Sequence, residues 1–255
     1  MSKKQSVLLG LREKLEKDFS NLLSDMVNKF KNKQGIFQGF RNTYDPLDGY
    51  ADDDTKRGFQ NVSSTVSAQL GWLKEHSKDY LATVLSIEKT NAQNVTATLV
   101  VNGVTWGEYT TLELLRMKGI LDGKLRAIVQ DLPIRSEKHV WAESTQPEFT
   151  GRSIWETPKE EGFSKTTVKD TIIVNDPHIK DAPSRPPVTR ETSVQVNVGK
   201  YTKQTFSGEI TNLERAVLEV KYNDVYKGII EALESANNVE SIPSDLGDKI
   251  LDFLF

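Results

Sequence analysis

A run of regularly spaced apolar residues near the N-terminus is the feature that most constrains the fold of this chain. Seven apolar residues recur every three or four positions: Leu8, Leu11, Leu15, Phe19, Leu22, Met26 and Phe30. This spacing places all seven on one face of an α-helix. The sequence therefore predicts one amphipathic helix over residues 4–31, and a helix of that length needs a partner surface to bury its apolar stripe.

Two later segments carry the signature of a helix N-terminus. In a capping box, a Ser or Thr hydroxyl and a Glu three residues later each accept a hydrogen bond from the other's backbone N–H. The two pairs are Thr110 with Glu113 and Thr211 with Glu214. We predict a helix that ends at Pro133 after the first box, and a helix over 211–237 after the second. Gly119 and Gly123 each cost about 1 kcal/mol inside the first helix, so we expect close backbone packing there.

The remaining ordered segments are predicted from alternation and turn residues. Residues 83–89 and 95–101 alternate apolar and polar side chains, and Asn102-Gly103 then favours a type I′ hairpin turn. Further strands are predicted at 165–174 and 189–206, a helix at 56–80, and a loop rich in glycine and aromatic residues at 34–55. The predicted fold class is α+β, with long N- and C-terminal helices packed against antiparallel β-meanders.

The predicted organisation is one α+β domain over residues 1–238. Its parts are the helix 4–31, a central sheet and helix at 83–133, a sheet and loop region at 136–206, and the helix 211–237. An apolar tail follows at 239–255, ending in Phe253, Leu254 and Phe255. Such a tail would promote aggregation if exposed, so we expect it to dock on its own core or on a second subunit.

Composition argues against several classes of partner. With 33 basic and 36 acidic residues the net charge is −3, which gives no global attraction for duplex nucleic acid or an anionic membrane. The chain has no cysteine, so it has no disulfide, thiolate nucleophile or zinc finger, as is typical of a reducing compartment. No run approaches the roughly 20 apolar residues of a membrane span. We therefore expect a cytoplasmic protein.

Motifs of catalysis are missing from the sequence. The three histidines, His76, His139 and His178, lie outside any recognisable triad motif, and no phosphate loop or dinucleotide fingerprint is present. We expect no enzyme activity, cofactor or metal, although a histidine site assembled by the fold stays open. Five aspartates between Asp45 and Asp54 could hold a hard cation, but their spacing is not that of a calcium loop, which favours a solvated acidic loop.

Aromatic and basic residues on predicted loops and strand ends form the candidate ligand site. Nucleobases stack on aromatic faces, and Arg and Lys donate charge-assisted hydrogen bonds to phosphate. The candidate ligand-binding residues are Arg41, Tyr44, Arg152, Trp155, Arg185, Arg190, Lys200, Tyr201 and Lys203. Core-edge aromatics and solvated basic residues give the same pattern, so a pocket and an ordinary surface both stay open. A pocket predicts weaker binding after Trp155→Ala or Arg190→Ala.

The segment Gly39-Phe40-Arg41-Asn42-Thr43-Tyr44-Asp45-Pro46-Leu47-Asp48 resembles a signature of a little-characterised family of tailed-bacteriophage proteins. Other similar pieces follow in order: the helix ending at Leu132-Pro133, Trp141, Phe206-Ser207-Gly208 and the helix 215–237. The likeness covers most of residues 8–238, and the apolar tail departs from it. This family is similar to the phage anti-CBASS sponges, which sequester cyclic dinucleotide signals.

The resemblance implies a function and a set of partners. It implies an immune-evasion protein of the host bacterial cytoplasm that binds 3′,3′-cyclic GMP-AMP without cleaving it and so blocks CBASS defence. It also implies a homo-oligomer, with a tetramer as the expected form. Two other classes stay open from the residues: a phage structural or scaffold protein, and a phosphodiesterase whose metal site would combine the acidic loop 45–54 with His76.

Overall fold

The computed structural model of the protein describes residues 5–91, 96–173 and 189–236. The helices are α1 (Gln5–Asn32), α2 (Val66–Asn91), α3 (Thr111–Ile120), α4 (Arg126–Gln130) and α5 (Asn212–Ala236). The strands are β1 (Gln38–Pro46), β2 (Gly58–Gln60), β3 (Thr96–Val101), β4 (Val104–Thr110), β5 (Ala142–Glu143), β6 (Trp155–Glu156), β7 (Glu160–Ile173) and β8 (Thr189–Ser207). All strand pairings named here are antiparallel, which confirms the predicted α+β class. No described helix has the length and apolar character of a membrane span.

Contacts divide the chain into two compact units, whereas the sequence predicted one domain over 1–238. In the described part of the chain, the helical unit comprises residues 5–34, 66–135 and 210–236. The sheet unit comprises residues 35–65 and 136–209. Each unit is therefore built from segments that are distant in sequence. The apolar tail 239–255 lies outside the described residues.

The stripe of α1 is buried along its C-terminal part, as its spacing predicts. Phe19, Met26 and Phe30 are buried, and the Phe19 ring stacks on Tyr80 of α2 with centroids 4.2 Å apart. Closer to the N-terminus the stripe is more open, because Leu11 is 39% exposed. Burying apolar area against α2 stabilises a helix that propensity alone would leave marginal.

A second core joins the β3–β4 hairpin to α3 and α5. Its buried members are Ala97, Leu99, Val101, Leu114, Leu121, Ile229, Ala232, Leu233 and Ala236. The hairpin turn is of type I′ in character, since Asn102 has φ 49° and Gly103 has φ 76°. This confirms the turn predicted from the Asn-Gly pair.

The helix after the first capping box is less regular than predicted. A π-helical turn at Leu121–Leu125 separates α3 from α4, with Gly123 at φ −84° and ψ −136°. A Cβ placed on Gly119 or Gly123 would meet nothing within 4 Å. The expectation of close backbone packing at these two glycines is therefore wrong, and Gly123 lies instead in the π-helical turn where the helix loses its regular geometry.

Three predicted segments differ from the structure for physical reasons. The strand expected at 83–89 belongs to α2, because Tyr80, Val84 and Ile87 are buried at helical spacing and outweigh the local alternation. The helix expected at 56–80 accordingly begins only at Val66. The loop expected at 34–55 contains β1. The glycine and proline residues of this segment favour a loop locally, but pairing with β8 makes it a strand.

The sheet unit is organised around β8, a strand of 19 residues. Its order is β2-β1-β8-β6-β5, and β7 also pairs with β8. The predicted strands at 165–174 and 189–206 are confirmed as β7 and β8. A small core of Val62, Phe149, Ile154 and Phe206 is buried on one side of this sheet.

The capping box at α3 provides a test of local stability. The Thr110 backbone N–H and hydroxyl both donate to Glu113 Oε2 at 2.9 Å, and the Glu113 N–H donates back to the hydroxyl at 3.3 Å. Since both side chains are buried, Thr110→Ala should lower the free energy of unfolding by about 1–2 kcal/mol. Thr110→Ser keeps the hydroxyl and should lose less in urea denaturation. Equal losses would show that the hydroxyl does not matter.

Candidate functional site

The register of β1 and β8 divides their side chains between two faces of the sheet, since residues directly opposite share a face. One face carries the pairs Gln38/Ser207, Phe40/Thr205, Asn42/Lys203 and Tyr44/Tyr201, and is called the aromatic face here. The other carries Gly39/Phe206, Arg41/Gln204, Thr43/Thr202 and Asp45/Lys200, and is called the core face because Phe206 belongs to the buried cluster. The two faces have different chemistry.

A cavity of about 390 Å³ opens at one end of the aromatic face, within the sheet unit. Its aromatic lining comprises Phe40, His139, Trp141 and the buried Phe206, and its polar lining includes Gln38, Gln60 and Glu209. This volume lies in the range of about 300–1,000 Å³ typical of small-molecule sites. The mixture of flat rings and a few converging polar groups is also typical of such sites.

Hydrogen bonds hold the polar floor of the cavity in one arrangement. Gln38 Nε2 donates to Glu209 Oε1 at 2.7 Å, and the Ser207 hydroxyl donates to Glu209 Oε2 at 3.0 Å. Gln60 Nε2 donates to the carbonyls of Gly35 and Gln38. Within the described residues, the side-chain oxygens of Gln38 and Gln60 accept no hydrogen bond. These two amide oxygens are therefore acceptors available to a ligand with N–H or O–H groups.

The aromatic walls are positioned by neighbouring groups. Trp141 Nε1 donates to the Ser136 carbonyl at 2.7 Å, and His139 meets the indole edge-on with centroids 5.8 Å apart. On the strand side, the Phe40 ring lies against Gly58, where any Cβ would come within 3.0 Å of it. Phe40 is nevertheless 37% exposed. Its ring therefore has an accessible surface on which a planar ligand could stack.

Lys203 supplies positive charge on the same face, about 7 Å along the strand from Thr205 of the cavity. Its Nζ lies 4.8 Å from the centre of the Tyr201 ring, and the Tyr201 ring covers Gly162. Tyr44 is only 1% exposed and donates its hydroxyl to the Val198 carbonyl at 3.2 Å. Tyr44 is therefore a structural residue, while Tyr201 and Lys203 remain candidates for contact with a ligand.

Two predicted ligand-binding arginines have structural roles instead. On the core face, Arg41 pairs with Glu148 at 2.6 Å and donates to Gln146 at 3.1 Å. Arg152 donates to the Val62 carbonyl at 2.7 Å, which joins two segments of the sheet unit. Each arginine thus uses part of its donor capacity for contacts within the sheet unit, and neither lines the cavity of the aromatic face.

The other candidates are dispersed. Lys200 lies opposite Asp45 on the core face, and Trp155 is half-buried on β6, opposite Ser207. Arg190 is exposed about 13 residues along β8 from Lys203, a distance of about 43 Å in a strand. Arg185 lies outside the described residues. Of the nine predicted residues, the fold brings Tyr44, Tyr201 and Lys203 together on the aromatic face.

The acidic loop is organised around a cation of the protein itself. Arg57 donates to Asp52 at 2.8 Å and to Asp54 at 2.7 Å, and also to the Tyr44 carbonyl. These hydrogen bonds raise the pKa of Arg57, and the bond from Arg57 lowers the pKa of Asp52. Across the described ranges, no three His, Asp or Glu side chains gather as metal ligands. Through Arg57, the acidic loop is hydrogen-bonded to β1.

A second cavity, of about 490 Å³, lies within the helical unit. At its centre Arg116 lies 3.6 Å from Glu88 and 3.9 Å from Glu16, and Leu112 and Leu115 complete its rim. One cation between two carboxylates leaves a net charge of −1. The lining of the sheet-unit cavity also carries one net negative charge, from Glu209, so charge does not separate the two cavities. The sheet-unit cavity is the better candidate for a nucleotide because it offers rings for stacking and because Lys203 lies on the same face.

A family model matches residues 2–255, which is nearly the whole chain. The chain belongs to a family of unknown function, DUF7873. Neither the curated proteins nor the solved structures contain a match to this chain. Membership of DUF7873 therefore names no ligand or reaction.

Sequence reasoning missed most of the cavity. Gln38, Gln60 and Glu209 come from three separate segments and no motif unites them. A usable signal is the even spacing of Phe40 and Tyr44, which places both on one face of a strand once the loop interpretation is dropped. Trp141 was noted only as part of the resemblance.

Proposed function

We propose that this protein is a non-enzymatic binder that sequesters a cyclic dinucleotide, with 3′,3′-cyclic GMP-AMP as the expected ligand, and thereby blocks CBASS antiphage defence. The observation that supports this proposal is the cavity of the aromatic face, where aromatic rings meet amide groups and Lys203 lies on the same face. The choice of this ligand class rests on the resemblance described above.

The chemistry of the cavity suits a nucleotide in three respects. A base stacked on Phe40 or Trp141 gains about 1–3 kcal/mol per ring. The oxygens of Gln38 and Gln60 can accept from the exocyclic amino or ring N–H groups of a base. Lys203 adds a compact positive charge for a phosphate.

Sequestration requires affinity and abundance alone. The ligand is bound and released intact, so no bond forms or breaks and no proton transfer is needed. By mass action, the protein lowers the concentration of free signal when its own concentration exceeds both the total concentration of the signal and the dissociation constant of the complex. Host effectors that respond to the free signal then stay inactive.

The two ring walls, Phe40 and Trp141, provide the mutational test. Phe40→Ala and Trp141→Ala should each weaken binding of 3′,3′-cyclic GMP-AMP about tenfold, because each removes one stacking surface. Isothermal titration calorimetry would measure this. Trp72→Ala is the matched control, since Trp72 is 39% exposed on α2 in the helical unit and should leave binding unchanged.

Unchanged affinity in both Phe40→Ala and Trp141→Ala would contradict the proposed site. A flat calorimetric response across a panel of cyclic dinucleotides would contradict the function itself. Recovery of the ligand after denaturing the complex separates binding from degradation. Intact ligand supports sequestration, whereas linear products would show that the protein is a phosphodiesterase.

A structural or scaffold role in a phage particle is the second candidate, and one observation favours it. Leu213, Val217 and Val220 lie at helical spacing on α5 and are 74%, 45% and 58% exposed. An apolar stripe of this kind is typical of assembly surfaces. A flat response to every cyclic dinucleotide, together with higher-order assembly of the pure protein, would favour this role.

A further inference from the structure

Part of the sheet unit extends as a ribbon of two strands. Pairing between β1 and β8 stops at Gly199, while β7 and β8 continue to pair as far as Ile173 and Thr189. The ribbon, residues 165–173 with 189–198, is about 30 Å long at 3.3 Å per residue. Among the described residues it pairs with no other strand. A two-stranded ribbon alone is marginal in water, so a covering surface would stabilise it.

The two faces of the ribbon differ sharply in polarity. One face, called the valine face here, carries the pairs Thr166/Val196, Val168/Val194, Asp170/Thr192 and Ile172/Arg190. The opposite face carries Lys165/Asn197, Thr167/Gln195, Lys169/Ser193 and Thr171/Glu191. On the valine face Val168, Val194 and Ile172 are 44%, 47% and 50% exposed. The apolar residues of the ribbon are thus confined to the valine face, where they stand beside Asp170 and Arg190. Apolar residues on one face only are typical of a strand pair with one covered face.

The charges on the valine face favour one particular occupant. Asp170 and Arg190 lie on neighbouring pairs of this face, and within the described residues neither side chain forms an ion pair. On the opposite face, by contrast, Lys169 pairs with Glu191 at 3.6 Å. A surface that combines one acid, one base and an apolar centre is complementary to itself.

We infer that the valine face is covered by the same face of a second copy of this chain, related by a two-fold axis parallel to the ribbon. This symmetry exchanges the two strands across the contact. Val168 then packs on Val194 of the partner subunit, and Asp170 reaches Arg190 of the partner subunit. Each contact occurs twice, as an isologous interface requires. The inference is independent of the proposed ligand.

The size of the face sets the expected strength. A surface about 30 Å by 10 Å on each copy is smaller than the roughly 800 Å² per partner of a standard interface. The dimer should therefore be weak, populated only toward the upper end of a micromolar concentration series, and dissociate on dilution. Sedimentation velocity of the full chain from about 1 to 200 µM would show this as a rising mean mass.

Lysine substitutions test which face is buried. Val168→Lys and Val194→Lys place a charge in the apolar centre and should weaken the dimer more than about tenfold. The matched controls are Thr167→Lys and Gln195→Lys, the adjacent residues on the opposite face, which should leave the dimer intact. A chain that stays monomeric at every concentration, or a dimer equally affected by both pairs, overturns the inference.

A charge exchange tests the predicted pairing directly. Asp170→Arg and Arg190→Asp should each weaken the dimer, because like charges then meet across the axis. The double variant Asp170→Arg/Arg190→Asp restores opposite charges and should recover the dimer, whereas Lys169→Glu on the other face should have no effect. Failure of the double variant to recover would overturn this arrangement. Circular dichroism of each variant verifies that it is folded.

Discussion

Replacing Phe206 by alanine is expected to lower the free energy of unfolding by about 3–5 kcal/mol. Phe206 is 0% exposed and packs with Val62, Phe149 and Ile154, and its ring centroid lies 5.2 Å from that of Phe149. The small core of the sheet unit has few other large side chains to close the space. The loss therefore combines the transfer of the ring to water with an unfilled cavity.

Urea denaturation of the full chain measures this loss. Phe163→Ala is the matched control, because Phe163 is 47% exposed on β7 and its removal should change the free energy of unfolding by less than about 1 kcal/mol. If the two variants lost the same free energy, Phe206 would not be the centre of this core.

Replacing Gly228 by alanine is expected to lower the free energy of unfolding by about 1–3 kcal/mol. Gly228 lies on α5 at its closest approach to β3, where an added Cβ would overlap the Val100 carbonyl oxygen and lie 3.3 Å from a Val101 methyl. A backbone carbonyl cannot rotate away as a flexible side chain can. The helix would have to move off the hairpin and lose contacts around Ile229.

Gly71→Ala is the control for this variant because the chemical change is identical. Gly71 lies inside α2, and a Cβ there would meet nothing within 4 Å. Alanine should instead raise the free energy of unfolding by about 1 kcal/mol, since glycine disfavours a helix interior. Changes of opposite sign in the free energy of unfolding of the two variants would show that the loss at Gly228 comes from close packing. Equal signs would contradict it.

The candidate site shows why ligand residues were harder to predict than helices. Arg41 and Tyr44 looked alike from the sequence, as a cation and a ring in one segment. In the fold, Arg41 pairs with Glu148, which is 107 residues away, and Tyr44 closes over Gly199. Whether a side chain is available to a ligand depends on partners from distant segments, which no local pattern reports.

The sequence by itself determined the features that depend on neighbouring residues. The stripe of α1, the capping boxes at Thr110 and Thr211, and the Asn102-Gly103 turn all follow from preferences within one or two turns of chain. These preferences act over short distances and need no knowledge of the rest of the molecule.

Only the tertiary structure decided which residues share a face and which groups remain accessible. The pairing of β1 with β8 joins segments about 160 residues apart and so places Phe40 beside Thr205 and Lys203 beside Asn42. A shift of one residue in this register would move every side chain of β1 relative to its neighbours on β8. The cavity depends on that long-range register, and the valine face depends on the register of β7 with β8, because strand pairing sets the face of each side chain.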